Sequence, residues 1–414
     1  MTTRTPLTAW VWLTACCAIA QPEKKALLIG IDGAGGRYVQ EADTPEMDAL
    51  AAAGVARYDF LNEGALYDNP PEGFGASGVN WSTFVTGAAA ENHGVVDNSF
   101  GGSRFDEHPH FFKHVKDADP TAYTASLANW TPINTFILDD RWADLEVGYD
   151  SGSVAQQDAA VKSDAVGLIR FADPDAVFLH FDQVDSAGHS FSWGSQQHLA
   201  AINTVDGLVG EVIDAIQGRP GVASGDEDWL VLISSDHGAT RGSFGHVASQ
   251  GEPNWEVPYL AWGPSVQTDE PLGQGSLRDL ASTALWHLGV DPFLAGLDGT
   301  IRGLATPFPS GVFGDLNGDG AVSGDGRGPA ATDDVTRFLD NWLVSAPGGV
   351  NDRLARGDVN LDGVTDLADW AVINDLDPAL GAGIGRALAG VPEPGSSVAA
   401  LSAALLTMSV RRRA

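Results

Sequence analysis

Four groups of Asp and His residues have the types and spacing that hold divalent cations: Asp32, Asp185 with His189, Asp236 with His237, and His246. Hydrolysis of a phosphate ester needs an activated nucleophile, neutralised nonbridging oxygens and a stabilised leaving oxygen. Two ions about 4 Å apart supply all three. Such a pair needs roughly six imidazole and carboxylate ligands on rigid elements, and those ligands suit zinc, manganese and iron alike. In Asp185-Ser-Ala-Gly-His189 a carboxylate and an imidazole four residues apart can turn onto one ion. Asp236-His237-Gly238 directly follows an apolar run. Any one of these residues alone is more often a solvated loop residue or a helix cap; their joint occurrence points to a metal centre.

The elements that must position them are readable as well. Residues 26–305 alternate short apolar runs with Ala-rich helical stretches, the pattern of a layered α/β domain with a largely parallel central sheet. Ala26-Leu-Leu-Ile-Gly-Ile31 runs into Asp32, Ala176-Val-Phe-Leu-His-Phe181 into Asp182, and Trp229-Leu-Val-Leu-Ile233 into Ser234-Ser-Asp-His237. Open α/β sheets place their sites at the C-terminal ends of such strands. Pro307-Phe-Pro-Ser-Gly311 is turn-rich and reads as a linker that closes a catalytic domain over 23–305.

The order and local context of these groups resemble the type I phosphodiesterase and nucleotide pyrophosphatase branch of the alkaline-phosphatase superfamily, over residues 26 to about 263. Ile29-Gly-Ile-Asp32-Gly33, Thr44-Pro-Glu-Met-Asp-Ala-Leu50, Ser82-Thr-Phe-Val-Thr-Gly87, Glu91-Asn-His-Gly-Val-Val-Asp97, Gly245-His246 and Glu256-Val-Pro-Tyr-Leu-Ala-Trp-Gly-Pro264 carry the likeness. The resemblance implies one ion held by Asp185, His189 and His246. It implies a second held by Asp32, Asp236, His237 and the nucleophile. At the family's spacing back from Val85-Thr-Gly87 that nucleophile is Ser77, and Asn80 is expected to donate its amide to a nonbridging oxygen.

The branch usually has Thr at the nucleophile and Phe-Pro before the Asn, where this chain has Ser77-Gly-Val-Asn80. Neither Gly78 nor Val79 supplies the Arg with which monoesterases of the superfamily meet a dianion, so a diester is the expected substrate. The Cys/Ser-x-Pro-x-Arg context of sulfatases is not matched. A phosphomonoesterase or phosphomutase on the same site is the alternative enzyme. An inactive calcium-dependent envelope-binding protein is the alternative outside enzymes.

Two Asp/Asn/Gly-rich loops follow, in a small helical module expected over 312–380. Asp358, Asn360, Asp362, Val364 through its carbonyl, Asp366 and Asp369 occupy positions 1, 3, 5, 7, 9 and 12 of a calcium loop, with Gly363 at the sharp turn. Asp rather than Glu at the last position resembles dockerin loops. An upstream copy starts at Asp315, Asn317 and Asp319, is interrupted by residues 324–332, and resumes at Asp334 as a displaced last ligand. A cohesin-like or matrix partner would follow from such a module.

The ends of the chain point to export. Both cysteines, Cys16 and Cys17, fall in an apolar stretch ending Ala18-Ile-Ala20, read as a signal peptide over 1–20 with a lipoprotein alternative at Leu13-Thr-Ala-Cys16. Residues 389–414, with Val391-Pro-Glu-Pro394, an apolar run and Arg411-Arg-Arg413, resemble a PEP-CTERM sorting signal. The expected destination is the periplasm, cell surface or extracellular matrix, reached through membrane sorting machinery. A formal net charge of -32 excludes a nucleic-acid-binding surface, which needs clustered Lys and Arg.

Overall fold

The computed structural model describes residues 22–268, 272–292, 295–304, 314–318, 321–344, 353–359, 364–376 and 378–389. Seven strands, β1 (Glu23–Ile31), β2 (Val55–Leu61), β3 (Thr124–Ala128), β4 (Leu145–Gly148), β5 (Ala176–Phe181), β6 (Glu227–Ser234) and β7 (Glu256–Trp262), form one sheet in the order β2-β7-β6-β1-β5-β3-β4. The five from β6 to β4 run parallel, and β7 is antiparallel to both β6 and β2. The expected layered α/β domain is observed. Each of the three expected strands is present, with β1 and β6 starting earlier than the apolar run because charged residues extend the register Glu23↔Glu227 and Lys24↔Asp228.

Alternation along the central strands builds two cores. Leu28, Phe178 and Leu232 point to one face and pack with Trp81, Phe84 and Leu280. Leu27, Ile29, Val177, Leu179 and Ile233 point to the other, against Val161, Val205 and Val212 of the long helices Val154–Phe171 and Gln196–Gln217. Strands covered on both faces read as uninterrupted apolar runs, which is why they were visible in the sequence.

A third core joins Leu316, Val335, Phe338, Val359, Ile373, Ile384 and Leu388, with Trp286 of the catalytic domain packed against it. The helix Pro378–Leu388 packs into this core through Ile384 and Leu388, although Gly381, Gly383 and Gly385 lie along it. Asp315, Asp334, Asp358 and Asp369 are buried in this module. Asp334 accepts from the N–H groups of Asn317 and Ser323, so the interrupted first loop closes on it. The interruption is organised by Asp333, whose carboxylate accepts from the backbone of Asp325, Gly326, Arg327, Gly328 and Thr336. Asp369 accepts from Asp366 N–H at the start of the helix Leu367–Leu376. Asp319, Asn360 and Asp362 lie outside the described residues, as do the expected signal peptide and all of the sorting segment beyond Ala389. No helix among the described residues is long and apolar enough to cross a membrane.

Candidate active site

Strand β1 delivers Asp32, β5 leads into the helix Gln183–Phe191 that carries Asp185 and His189, and Asp236 and His237 follow directly on β6. Gly33 makes the convergence possible: its backbone has φ +71°, and a Cβ there would lie 2.8 Å from Asp185 Cα. His246 comes from the loop after β6, and its ring stacks on His237 with centroids 3.6 Å apart. The carboxylates and imidazoles of Asp185, His189 and His246 lie close enough to share an ion, as do those of Asp32, Asp185 and His237. All six residues expected as ligands from the sequence thus come together at one end of the sheet.

Hydrogen bonds set the orientation of each ligand. His237, His246 and His189 place Nδ1 3.1, 2.9 and 2.8 Å from the carbonyls of Gly238, Gly75 and Phe244. A carbonyl only accepts, so Nδ1 carries the proton in all three and Nε2 offers a lone pair to the centre. Asp236 Oδ1 accepts from the N–H groups of Gly33 and His237, while its Oδ2 has no partner. Asp32 Oδ2 accepts from Trp81 Nε1 at 3.0 Å, while its Oδ1 has no partner. Asp185 Oδ1 is likewise buried without one. Three unpartnered carboxylate oxygens facing three unprotonated imidazole nitrogens are costly in a protein interior and are satisfied by cations. The residues present therefore fit divalent metal ions.

The electrostatics agree. Burial, and next the charge of Asp32, push the Asp185 and Asp236 carboxyls well above the usual range. Burial keeps His237 and His246 neutral, with the neighbouring imidazoles adding to it. Burial opposes the charge on Asp32 too, but the hydrogen bond to His180 and the other donors around it hold its pKa at about 2. A dication would reverse the penalty on the carboxylates without protonating the imidazoles.

Ser77 is the first residue of the helix Ser77–Thr86, and its Oγ lies 3.3 Å from His237 Nε2. It borders a cleft of about 380 Å³ with Asp32, Asp185, His189 and His246. The expectation for Asn80 is corrected. Asn80 is fully buried, its amide donates to the carbonyls of Phe74 and Ala76, and its oxygen accepts from Glu63 N–H. With every polar atom committed to the turn before Ser77, it has nothing left for a substrate. Asn98 lines the cleft instead, its oxygen accepting from Gly78 N–H at 2.7 Å, which leaves its amide nitrogen as donor. Gly78 permits this approach, since a Cβ there would meet Asn98 Oδ1 at 2.9 Å. Asp182, Trp130, Ser186 and Ser190 complete the lining. Asn98 and Trp130 were not foreseen, because each reaches the cleft from a connecting segment with no metal-ligand spacing to mark it.

Comparison with known proteins fits this geometry. The family model described as type I phosphodiesterase / nucleotide pyrophosphatase matches residues 26–253, more than half of the chain. Mouse ectonucleotide pyrophosphatase/phosphodiesterase family member 7 is 28% identical over 257 residues, covering 55% of this chain and 53% of that protein. Human bis(5'-adenosyl)-triphosphatase ENPP4 is 22% identical over 236 residues, covering 52% and 48%. The chain thus spans about half the length of the curated relatives it matches. Among solved structures, murine ectonucleotide pyrophosphatase/phosphodiesterase 5 superposes with a TM-score of 0.50 at 16% identity, over 65% of this chain and 95% of that one. The 2-O GAG sulfatase BT1596 gives 0.50 at 14% identity, over 65% and 71%. These likenesses establish an alkaline-phosphatase-like fold. With its fold, its ligand set and a family match across 26–253, this chain belongs to the type I phosphodiesterase / nucleotide pyrophosphatase family.

Proposed function

We propose that the protein is an exported, metal-dependent hydrolase of phosphate diesters with Ser77 as its nucleophile. The observation that carries this is the convergence of three imidazole Nε2 atoms and three unpartnered carboxylate oxygens beside Ser77 Oγ. Asp185, His189 and His246 would hold one divalent ion, and Asp32, Asp236 and His237 with Ser77 the other; zinc suits these donors. Bound there, the ions would lower the pKa of the Ser77 hydroxyl and neutralise phosphoryl charge.

The chain's own residues do the rest. Ser77 Oγ attacks phosphorus in line, the P–O bond to the leaving alcohol breaks, and a phosphoseryl ester remains. Asn98 donates its amide to a nonbridging oxygen as charge builds. Water then attacks phosphorus opposite Ser77 Oγ, the P–Oγ bond breaks, Oγ regains a proton and a phosphate monoester is released, so two inversions give retention at phosphorus. Diesters are favoured because no Lys or Arg lines the described cleft to meet the second charge of a monoester. A nucleotide or related small ester is the substrate class that the names of the relatives suggest.

The C-terminal module is proposed to bind calcium through Asp358, Val364, Asp366 and Asp369 and through Asp315, Asn317 and Asp334, with Asn360, Asp362 and Asp319 as the remaining ligands. Its partner would be a cohesin-like or matrix component.

The experiment is hydrolysis of bis-p-nitrophenyl phosphate against p-nitrophenyl phosphate by the purified protein, with Ser77→Ala and chelated controls. Diester preference lost in both controls supports the proposal. Monoester preference moves it to a phosphomonoesterase, and metal binding without hydrolysis of either points to an envelope-binding protein.

A further inference from the structure

Beside the two ligand groups lies a third that a cation could share, Asp32, His180 and Asp182. Hydrogen bonding decides what this group does. His180 Nδ1 accepts from the backbone N–H of Trp130 at 3.2 Å. A neutral imidazole that accepts at Nδ1 carries its proton on Nε2. That Nε2 lies 3.2 Å from Asp32 Oδ2, the same oxygen that accepts from Trp81 Nε1. The tautomer is the opposite of that in His189, His237 and His246, which all protonate Nδ1 against a carbonyl. His180 therefore has no lone pair to give an ion, and its proton is spent on one chosen oxygen of Asp32.

We infer that Trp81 and His180 are positioning residues that occupy Oδ2 of Asp32 with two donors, so that Asp32 meets the metal centre through Oδ1 alone and no third cation enters beside Asp182. The framework holds them in place. Both side chains are fully buried, and their rings meet edge to face at 4.7 Å. Gly30, two residues before Asp32, leaves room for the Trp81 ring, which any Cβ on that strand position would strike. His180 is on the neighbouring strand in register with Gly30. Removing such an outer donor typically weakens a metal site about 10- to 100-fold.

This inference rests on the two-metal reading above, and metal binding rather than turnover tests it. Full-length protein stripped of metal is loaded with zinc, and bound zinc per chain and the affinity of each ion are read by mass spectrometry and competition with a chromophoric chelator. Wild type and His180→Phe should both saturate with the same number of zinc ions. Trp81→Phe, which keeps an aromatic side chain but loses the indole N–H, should weaken one ion about 10-fold or more and leave the other unchanged. His180→Gln, which retains a donor, should hold that ion better than His180→Phe. A general loss of packing would weaken both ions together and would not be relieved by Gln. One ion fewer in His180→Phe than in wild type would make His180 a ligand and overturn the inference. So would unchanged affinities in both Trp81→Phe and His180→Phe. Failure of wild type to bind zinc, manganese or iron at all would overturn the two-metal reading itself.

Discussion

Two asparagines near Ser77 show how little residue type says without its hydrogen bonds. Asn80 is locked into the turn before Ser77, and Asn98 presents its amide to the cleft. Their alanine variants should therefore separate. Asn98→Ala is expected to lower kcat about 100-fold with little change in melting temperature. Asn80→Ala should lose about 2–3 kcal/mol of stability in urea denaturation, because Glu63 N–H and two carbonyls lose their partner. For Ser77→Ala the expectation is a fall in kcat of about a thousandfold or more with zinc content retained. An equal loss of activity and bound zinc would instead assign Ser77 a structural role.

The helix that begins at Ser77 is anchored by a buried carboxylate at the level of elements. Glu63 is fully buried and accepts from Ala90 N–H, Tyr67, Thr83 and both Nε and Nη2 of Arg278. Thr83 lies on the helix Ser77–Thr86 and Arg278 on the helix Arg278–His287, so one buried carboxylate fixes two elements on the same face of the sheet. Arg278→Ala leaves a buried charge uncompensated and should cost about 3–5 kcal/mol by chemical denaturation. Glu63→Gln combined with Arg278→Ala should recover part of that loss, since the remaining group is neutral. Equal stability of the single and double variants would argue against the charge as the cause.

Over the whole molecule, several histidines are enclosed uncharged. Burial, with His108 and the Arg278 and Arg104 charges adding to it, lowers His93 to about 3, and burial drives His110 well below its usual value. The sign follows from linkage: the unfolded chain takes up these protons first, so stability present above about pH 6.5 is lost as pH falls toward the folded values. Between about pH 7.5 and about pH 5.5 each such histidine should remove roughly 1.4 kcal/mol of stability, which the raised Asp185 and Asp236 carboxyls oppose in metal-free protein, so the effect is read as a smaller pH dependence of His110→Phe than of wild type. Urea denaturation of both proteins at the two pH values measures this; an equal pH dependence of wild type and variant would refute it. In the C-terminal module, calcium should raise the unfolding temperature, because it would satisfy buried carboxylates around a small core.

The α/β class, the strand ends and the six Asp and His residues that converge there were legible in the amino-acid sequence, because buried parallel strands and clustered Asp and His are both written in residue type and local spacing. The helix past residue 380 was not legible, because Gly381, Gly383 and Gly385 weaken the helical signal and its packing on the third core comes from tertiary contacts. Tertiary structure alone decided that Asn98 rather than Asn80 faces the cleft and that His180 carries its proton on the nitrogen opposite to that of the ligand histidines. Those outcomes depend on which backbone groups meet each side chain across gaps such as the 50 residues between Trp130 and His180, and such partners are fixed only when the chain has folded.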